Sequence, residues 1–138
     1  MPGRIDFKID GAKEMNRLLK ELPTNVAIRV GDQALKAGAK PIVAEAKRLV
    51  PVLSGELRDS ITAEPERKRK PQDARVILIG FKKPASRRAH LTEFGTAHSA
   101  AKPFMRPALD SKAGEALDEM GKALAQGIDR EAAKLAKP

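Results

Sequence analysis

Residues 88 to 110, RAHLTEFGTAHSAAKPFMRPALD, gather both histidines of the chain (His90 and His98) with Glu93, Thr96 and Arg106 around Gly95. A His-Glu-His set would suggest a metal centre or a general base. The spacing argues against it. Ligands on one helix face recur every three or four residues, whereas eight residues and a glycine separate His90 from His98. Nothing in the sequence holds Glu93 between them, so both histidines read as surface or hydrogen-bonded side chains. A nucleophile elbow requires Gly-x-Ser-x-Gly, and a P-loop or dinucleotide site requires its own glycine pattern. The chain contains none of these, and it has no cysteine for a disulfide or a thiolate site. The expectation is therefore no enzyme, no catalytic residue, no cofactor and no metal.

Charge offers the second kind of chemistry. The chain carries 27 Lys plus Arg against 18 Asp plus Glu, a net charge of +9, which suits contact with nucleic acid or with acidic protein surfaces. Two runs concentrate it: ERKRKP, with Arg67, Lys68, Arg69 and Lys70 in succession, and KKPASRR at residues 82 to 88. Lys and Arg in such runs neutralise phosphates, but single-strand binders usually add aromatic platforms on which bases stack. Tyr and Trp are absent and the four Phe lie outside the basic runs. No helix-turn-helix or zinc-finger spacing occurs. Each run reads sooner as a solvated loop or a rim that meets an acidic partner than as a nucleic-acid surface.

The elements that position these residues follow from periodicity. At 138 residues the chain suits one domain, residues 1–138. RIDFKID (residues 4 to 10) alternates, with Ile5, Phe7 and Ile9 on one side, as a half-buried strand does. A helix follows, with Met15, Leu18, Leu19 and Leu22 on one face and Pro23 as its stop. From Thr24, a candidate N-cap, helical spacing continues to Val50. Gly38 and Pro41 interrupt it, so either a kinked long helix or two helices meeting near residues 38 to 41 is expected.

Residues 61 to 81 read as two strands around a charged, mobile loop at about residues 64 to 74. The first is confined to an edge by Pro65. The second, with the run Val76 to Ile79, suits a central strand buried on both faces. Residues 111 to 135 form a final helix whose stripe is Ala113, Leu117, Met120, Leu124, Ile128, Ala132 and Leu135. Its glycines and alanines imply close packing on a neighbour. The fold expected is α+β: a small antiparallel sheet against a long helix and a C-terminal helix. No apolar run approaches the roughly 20 residues that span a bilayer, and MPGRIDFKIDG lacks the apolar centre of a signal peptide.

Two segments carry a resemblance. In VPVLSGELRDSI (residues 50 to 61), Pro51 ends the long helix, Ser54 can cap the next turn, Gly55 permits a tight turn, and Leu57 and Ile61 pin it to the core. In AHLTEFGT…KPFMRPAL, Gly95 after Phe94 suggests a positive φ, and Thr96 can bond back to its own backbone. Pro103 and Pro107 would hold the segment extended and present Phe104 as an anchor near a subunit boundary. Glu93 and Arg106 either pair across the loop or Glu93 stays a solvated carboxylate. Together, in this order, these motifs resemble the small head–tail joining proteins of long-tailed bacteriophages, the neck or tail-completion family typified by a lambda-like coliphage.

That resemblance covers roughly residues 10 to 125. It implies a virion protein of the neck, made in the host cytoplasm, acting in rings that are commonly six-fold. The partners it implies are other copies of the chain, the head connector on the portal side, and the tail-terminator and tail-tube proteins. A ring requires a head-to-tail interface between two different faces of one subunit. The basic loop would then meet a neighbouring ring or the packaged DNA. The alternative is a small basic nucleic-acid-binding protein of mobile-element origin.

Overall fold

The computed structural model describes residues 12–51, 55–70, 74–83, 86–98 and 100–136. The strand expected over residues 4 to 10 lies outside them. The described elements are α1 (Ala12–Glu21), α2 (Thr24–Leu49), α3 (Glu56–Asp59), β1 (Ile61–Pro65), β2 (Ile77–Phe81), α4 (Ser86–Phe94) and α5 (Met105–Ala136). They make an α+β fold in which a two-stranded antiparallel sheet packs against the long helices α2 and α5.

α2 is one continuous helix of 26 residues with Pro41 inside it. The proline removes one backbone donor, so the Ala37 carbonyl forgoes its helical partner, yet the helix runs through. Thr24 is not the cap expected of it. Pro23, at φ −52° and ψ 143°, occupies that position and Thr24 is already helical. The fixed φ and extended ψ of Pro23 supply the non-helical geometry a cap position needs, and its carbonyl accepts the first helical bond from the Ala27 N–H at 2.9 Å. At the other end, Val50 is extended with ψ 134°. Pro51 follows it and disfavours the helical conformation of the residue before it. The stop is therefore written in the sequence.

α2 buries Val30, Ala34, Gly38, Ala39, Ile42 and Ala46, a stripe at helical spacing. It runs antiparallel to α5, with Gly38 opposite Met120 and Val30 opposite Gly127. Small residues set the distance between the two helices. A Cβ at Gly38 would stand 2.2 Å from Met120 Cγ and 2.9 Å from the Ala116 carbonyl oxygen. The Arg29 guanidinium reaches Glu131 at 2.9 Å near the far end of the pair.

α5 begins at Met105, six residues before the expected start, and its buried side is not the one expected throughout. Ala113 and Ile128 are buried as anticipated, together with Ala116, Gly127 and Glu131, while Leu135 is 59% exposed and Ala132 is exposed. The buried positions 116 and 131 each lie one residue before the expected 117 and 132, which is a rotation of about 100° around the helix axis.

In the hairpin, Ile61 pairs with Phe81, Ala63 with Ile79 and Pro65 with Ile77, while Thr62 pairs with Gly80 and Glu64 with Leu78. The first set faces the core; strand alternation puts the second set on the opposite face. β2 is not the central strand expected from Val76 to Ile79. It has one strand partner among the described residues, and Leu78 is 57% exposed. A continuous apolar run does not by itself say that both faces are covered. The core joins Ile42, Ala46, Val50, Ile61, Phe104, Ala108 and Ala116. Phe104 is completely buried at its centre, edge-on to Phe81 with ring centroids 5.6 Å apart.

Candidate functional site

The two sequence motifs meet in this core. In the first, Gly55 adopts φ +77° ahead of α3, a left-handed conformation that costs a side-chain-bearing residue strain. Its carbonyl accepts the Asp59 N–H at 2.9 Å. Leu57 packs on the core cluster beside buried Ile61, the pin expected of the pair. The Ser60 hydroxyl donates to the Leu57 carbonyl at 2.7 Å, and the Ser60 carbonyl accepts the Lys82 N–H at 2.9 Å, closing the open end of the hairpin. Pro51 is half-buried. Ser54 lies outside the described residues.

The second motif is built differently from its expectation. Ser86–Phe94 is a helix, so Glu93 and Phe94 sit at a helix end and not in a loop. Gly95 ends that helix at φ +78°, as anticipated, and its N–H donates to the Leu91 carbonyl at 2.9 Å. The Thr96 hydroxyl accepts the His98 N–H at 3.2 Å, the local turn expected of it. The Lys102 N–H then donates to the Thr92 carbonyl at 2.9 Å, which folds the connection back on α4.

Glu93 is the organising residue. One carboxylate oxygen accepts the N–H groups of Phe104 at 2.8 Å and Met105 at 3.1 Å; the other accepts the N–H of Arg106 at 3.1 Å. A helix leaves its first four N–H groups without partners. Here the first three are held by Glu93, the fourth position is Pro107, which has no N–H, and the helical bonds begin with Ala108 N–H to the Phe104 carbonyl at 3.1 Å. The carboxylate also lies at the positive end of a 32-residue helix. Glu93 therefore does not pair with the Arg106 side chain, which reaches Asp110 at 3.1 Å instead. Residue type and separation suggested an ion pair; the backbone donors of an uncapped helix were the stronger claim.

The aromatic roles are also exchanged. Phe104, expected at a boundary, is fully buried because Pro103 delivers it straight into α5, whereas Phe94 is 80% exposed. Phe94 stands at the lip of an apolar groove of about 750 Å³ lined by Ile42, Ile79, Met105 and Leu109, with Glu93 and Arg106 also on its wall.

In the basic run, Arg67 and Lys68 are exposed, and Arg69 is held by Glu66 at 2.8 Å. Lys70 also has an interaction of its own. Two ion pairs that sequence reading missed fasten the scaffold. Asp32 takes both Nε and Nη2 of Arg75, at 3.0 and 3.2 Å, tying α2 to the chain entering β2. Buried Glu131 takes Arg29 at 2.9 Å, with Lys134 at 3.6 Å, and the Arg29 hydrogen bond holds its carboxyl below the ordinary carboxylate range. Partners 43 and 102 residues apart leave no local signal. Among the described residues no group of three or more His, Cys, Asp or Glu is placed to hold a metal ion, and no helix is long and apolar enough to cross a membrane.

Compared with known proteins, residues 13–95 match the model of a family described as "Bacteriophage HK97-gp10, putative tail-component". The match takes in more than half of the chain, from α1 through Glu93 and Gly95. No curated protein and no solved structure matches.

Proposed function

The chain belongs to the HK97-gp10-like family of bacteriophage tail components, and on that footing we propose that it is a non-enzymatic structural subunit of the head–tail joint in a tailed phage or prophage-derived particle. Copies form a hexameric ring in the neck, between the head connector on the portal side and the tail-terminator and tail-tube proteins. The observation that carries this reading is the family match over α1, α2, the hairpin and α4. The geometry supports it. Glu93 locks α4 onto the start of α5, so a helix end bearing an exposed aromatic is held rigidly over an apolar groove. A rigidly held anchor keeps the entropy cost of docking low. In this reading Pro51, Gly55 and Leu57 hold the sheet side of the contact surface. Glu93, Phe94, Gly95, Thr96, Pro103, Phe104, Arg106 and Pro107 hold the groove side.

Arg67 and Lys68 are exposed at the tip of the hairpin, which favours a second role for that tip at a neighbouring ring or at packaged DNA. Cryo-electron microscopy of particles carrying a tagged copy tests both ideas. A ring of density between capsid and tail is the expected result. Absence of the tag from every particle, with DNA binding by the purified chain that weakens steeply with salt, would overturn the neck reading in favour of nucleic-acid binding.

A further inference from the structure

α2 turns one face to the core, through Val30, Ala34, Gly38, Ile42 and Ala46, and leaves the opposite face to solvent. Each residue advances about 100° around a helix axis, so Lys36, Lys40 and Lys47 fall within about 40° of one another on that far side. They span about 16 Å of the axis at about 1.5 Å per residue. Lys36 and Lys40 are exposed and Lys47 is half-buried. Among the described residues none of the three has a carboxylate partner. The two acids of α2 are committed elsewhere, Asp32 to Arg75 and Glu45 to Arg48. α5 adds a fourth cation. The Arg130 guanidinium donates to Gln33 Oε1 at 3.3 Å, a neutral partner one turn before Lys36, so its charge is placed at the stripe without being neutralised. Beside it Arg29 and Lys134 share the one carboxylate of buried Glu131.

We infer that this face of α2 is a binding surface for the phosphate backbone of duplex DNA, contacted without regard to base sequence. It is a different surface from the hairpin tip, and it stands whether or not the chain forms a ring. Duplex DNA presents one negative charge for about every 1.7 Å of its axis, so a straight row of flexible lysine arms meets several phosphates at once. The row lacks what other occupants need. A protein contact draws on an apolar centre from which charged residues are depleted. Among the described residues the large apolar side chains left exposed are Leu78, Leu91, Phe94 and Leu135, and none of them lies on α2. Single strands are held by stacking on aromatic side chains, and α2 contains no aromatic residue. Duplex phosphates require neither; they require uncompensated cations in a line.

The purified full-length chain is titrated against a short fluorescein-labelled duplex of arbitrary sequence over a series of salt concentrations, with anisotropy as the readout. K36Q/K40Q/K47Q is compared with the parent and with K13Q/K20Q/K122Q, which removes the same charge from exposed positions elsewhere. All six positions face solvent at least in part, and circular dichroism checks that helicity is kept. Loss of three phosphate contacts should make the slope of log K against log salt shallower by about 2.7, at about 0.9 per contact, and should weaken binding at low salt about ten-fold or more. The control triple should stay close to the parent. A parent that leaves the duplex unbound at low salt, or a K36Q/K40Q/K47Q chain that binds no more weakly than the control, would overturn the inference. Loss of binding in R67Q/K68Q, with K36Q/K40Q/K47Q at parental affinity, would overturn it by moving the contact to the hairpin tip. Preference for poly-glutamate over the duplex, abolished in K36Q/K40Q/K47Q, would overturn it in favour of an acidic protein partner.

Discussion

Removing the Glu93 carboxylate strips one group from three backbone donors at once. In Glu93→Ala the N–H groups of Phe104, Met105 and Arg106 lose acceptors at 2.8 to 3.1 Å. They stand at the start of the helix that carries Phe104 into the core. Loss of an N-cap costs about 0.5–2 kcal/mol, and hydrogen bonds to a charged group contribute about 1.5–3 kcal/mol. Water reaches part of the site, so the two ranges overlap more than they add. A loss of about 2 kcal/mol is expected, which for a domain near this size lowers Tm by roughly 8 °C. Glu93→Gln, with one carbonyl oxygen in place of two, should fall between. Arg106→Ala, which removes only an exposed pair with Asp110, should cost no more than about 0.5 kcal/mol. With no Trp or Tyr in the chain, urea unfolding is followed by far-ultraviolet circular dichroism, not fluorescence. An E93A midpoint within error of the parent, or an R106A loss equal to that of E93A, would refute the assignment of Glu93 as the cap of α5.

Phe104→Ala should destabilise by about 3–5 kcal/mol, as truncation of a buried aromatic does, while Phe94→Ala should leave the urea midpoint unchanged and impair only incorporation into particles. Gly38→Ala should lose about 1–3 kcal/mol through overpacking, because the added methyl meets Met120 and the Ala116 carbonyl. Gly114→Ala, where nothing lies within 4 Å, should instead gain up to about 1 kcal/mol of helix propensity; thermal melts of the two variants should move in opposite directions. Glu131 has its folded pKa depressed below the ordinary 4.5, chiefly by the Arg29 hydrogen bond. Its contribution is present above the unfolded value and is lost as pH falls through the lower folded value. Urea midpoints measured from pH 6 down to pH 2 should drop below about pH 4.5, and Glu131→Gln should flatten that drop.

Much of the architecture was legible because it is written in local terms. Prolines at 23 and 51 end helices by removing donors and restricting their neighbours. The 3.6-residue spacing from Val30 to Ala46 survives Pro41, because its buried stripe packs on α5 on both sides of the proline. Gly95 takes the positive φ that its place after Phe94 suggested, and Gly55 makes the tight turn expected of it, also at positive φ. Legibility stopped where a residue's role depends on what lies across from it. An apolar run at Val76 to Ile79 looks the same whether one or both faces are covered, and only the fold shows Leu78 uncovered. Phe94 and Phe104 are the same residue type ten positions apart in one segment, yet one is 80% exposed and the other has no exposure.

From sequence alone came the α+β class, the two long helices, the hairpin and the family resemblance, since periodicity, turn chemistry and motif order are properties of neighbouring residues. The tertiary structure alone decided that Glu93 caps α5 and leaves Arg106 to Asp110, that Arg29 finds Glu131, and that Phe94 overlooks a groove while Phe104 fills the core. Those outcomes are set by competition in three dimensions. Three unpaired backbone donors at a helix end hold a carboxylate more strongly than one exposed guanidinium does, and a linear pattern does not record which donors will be nearby.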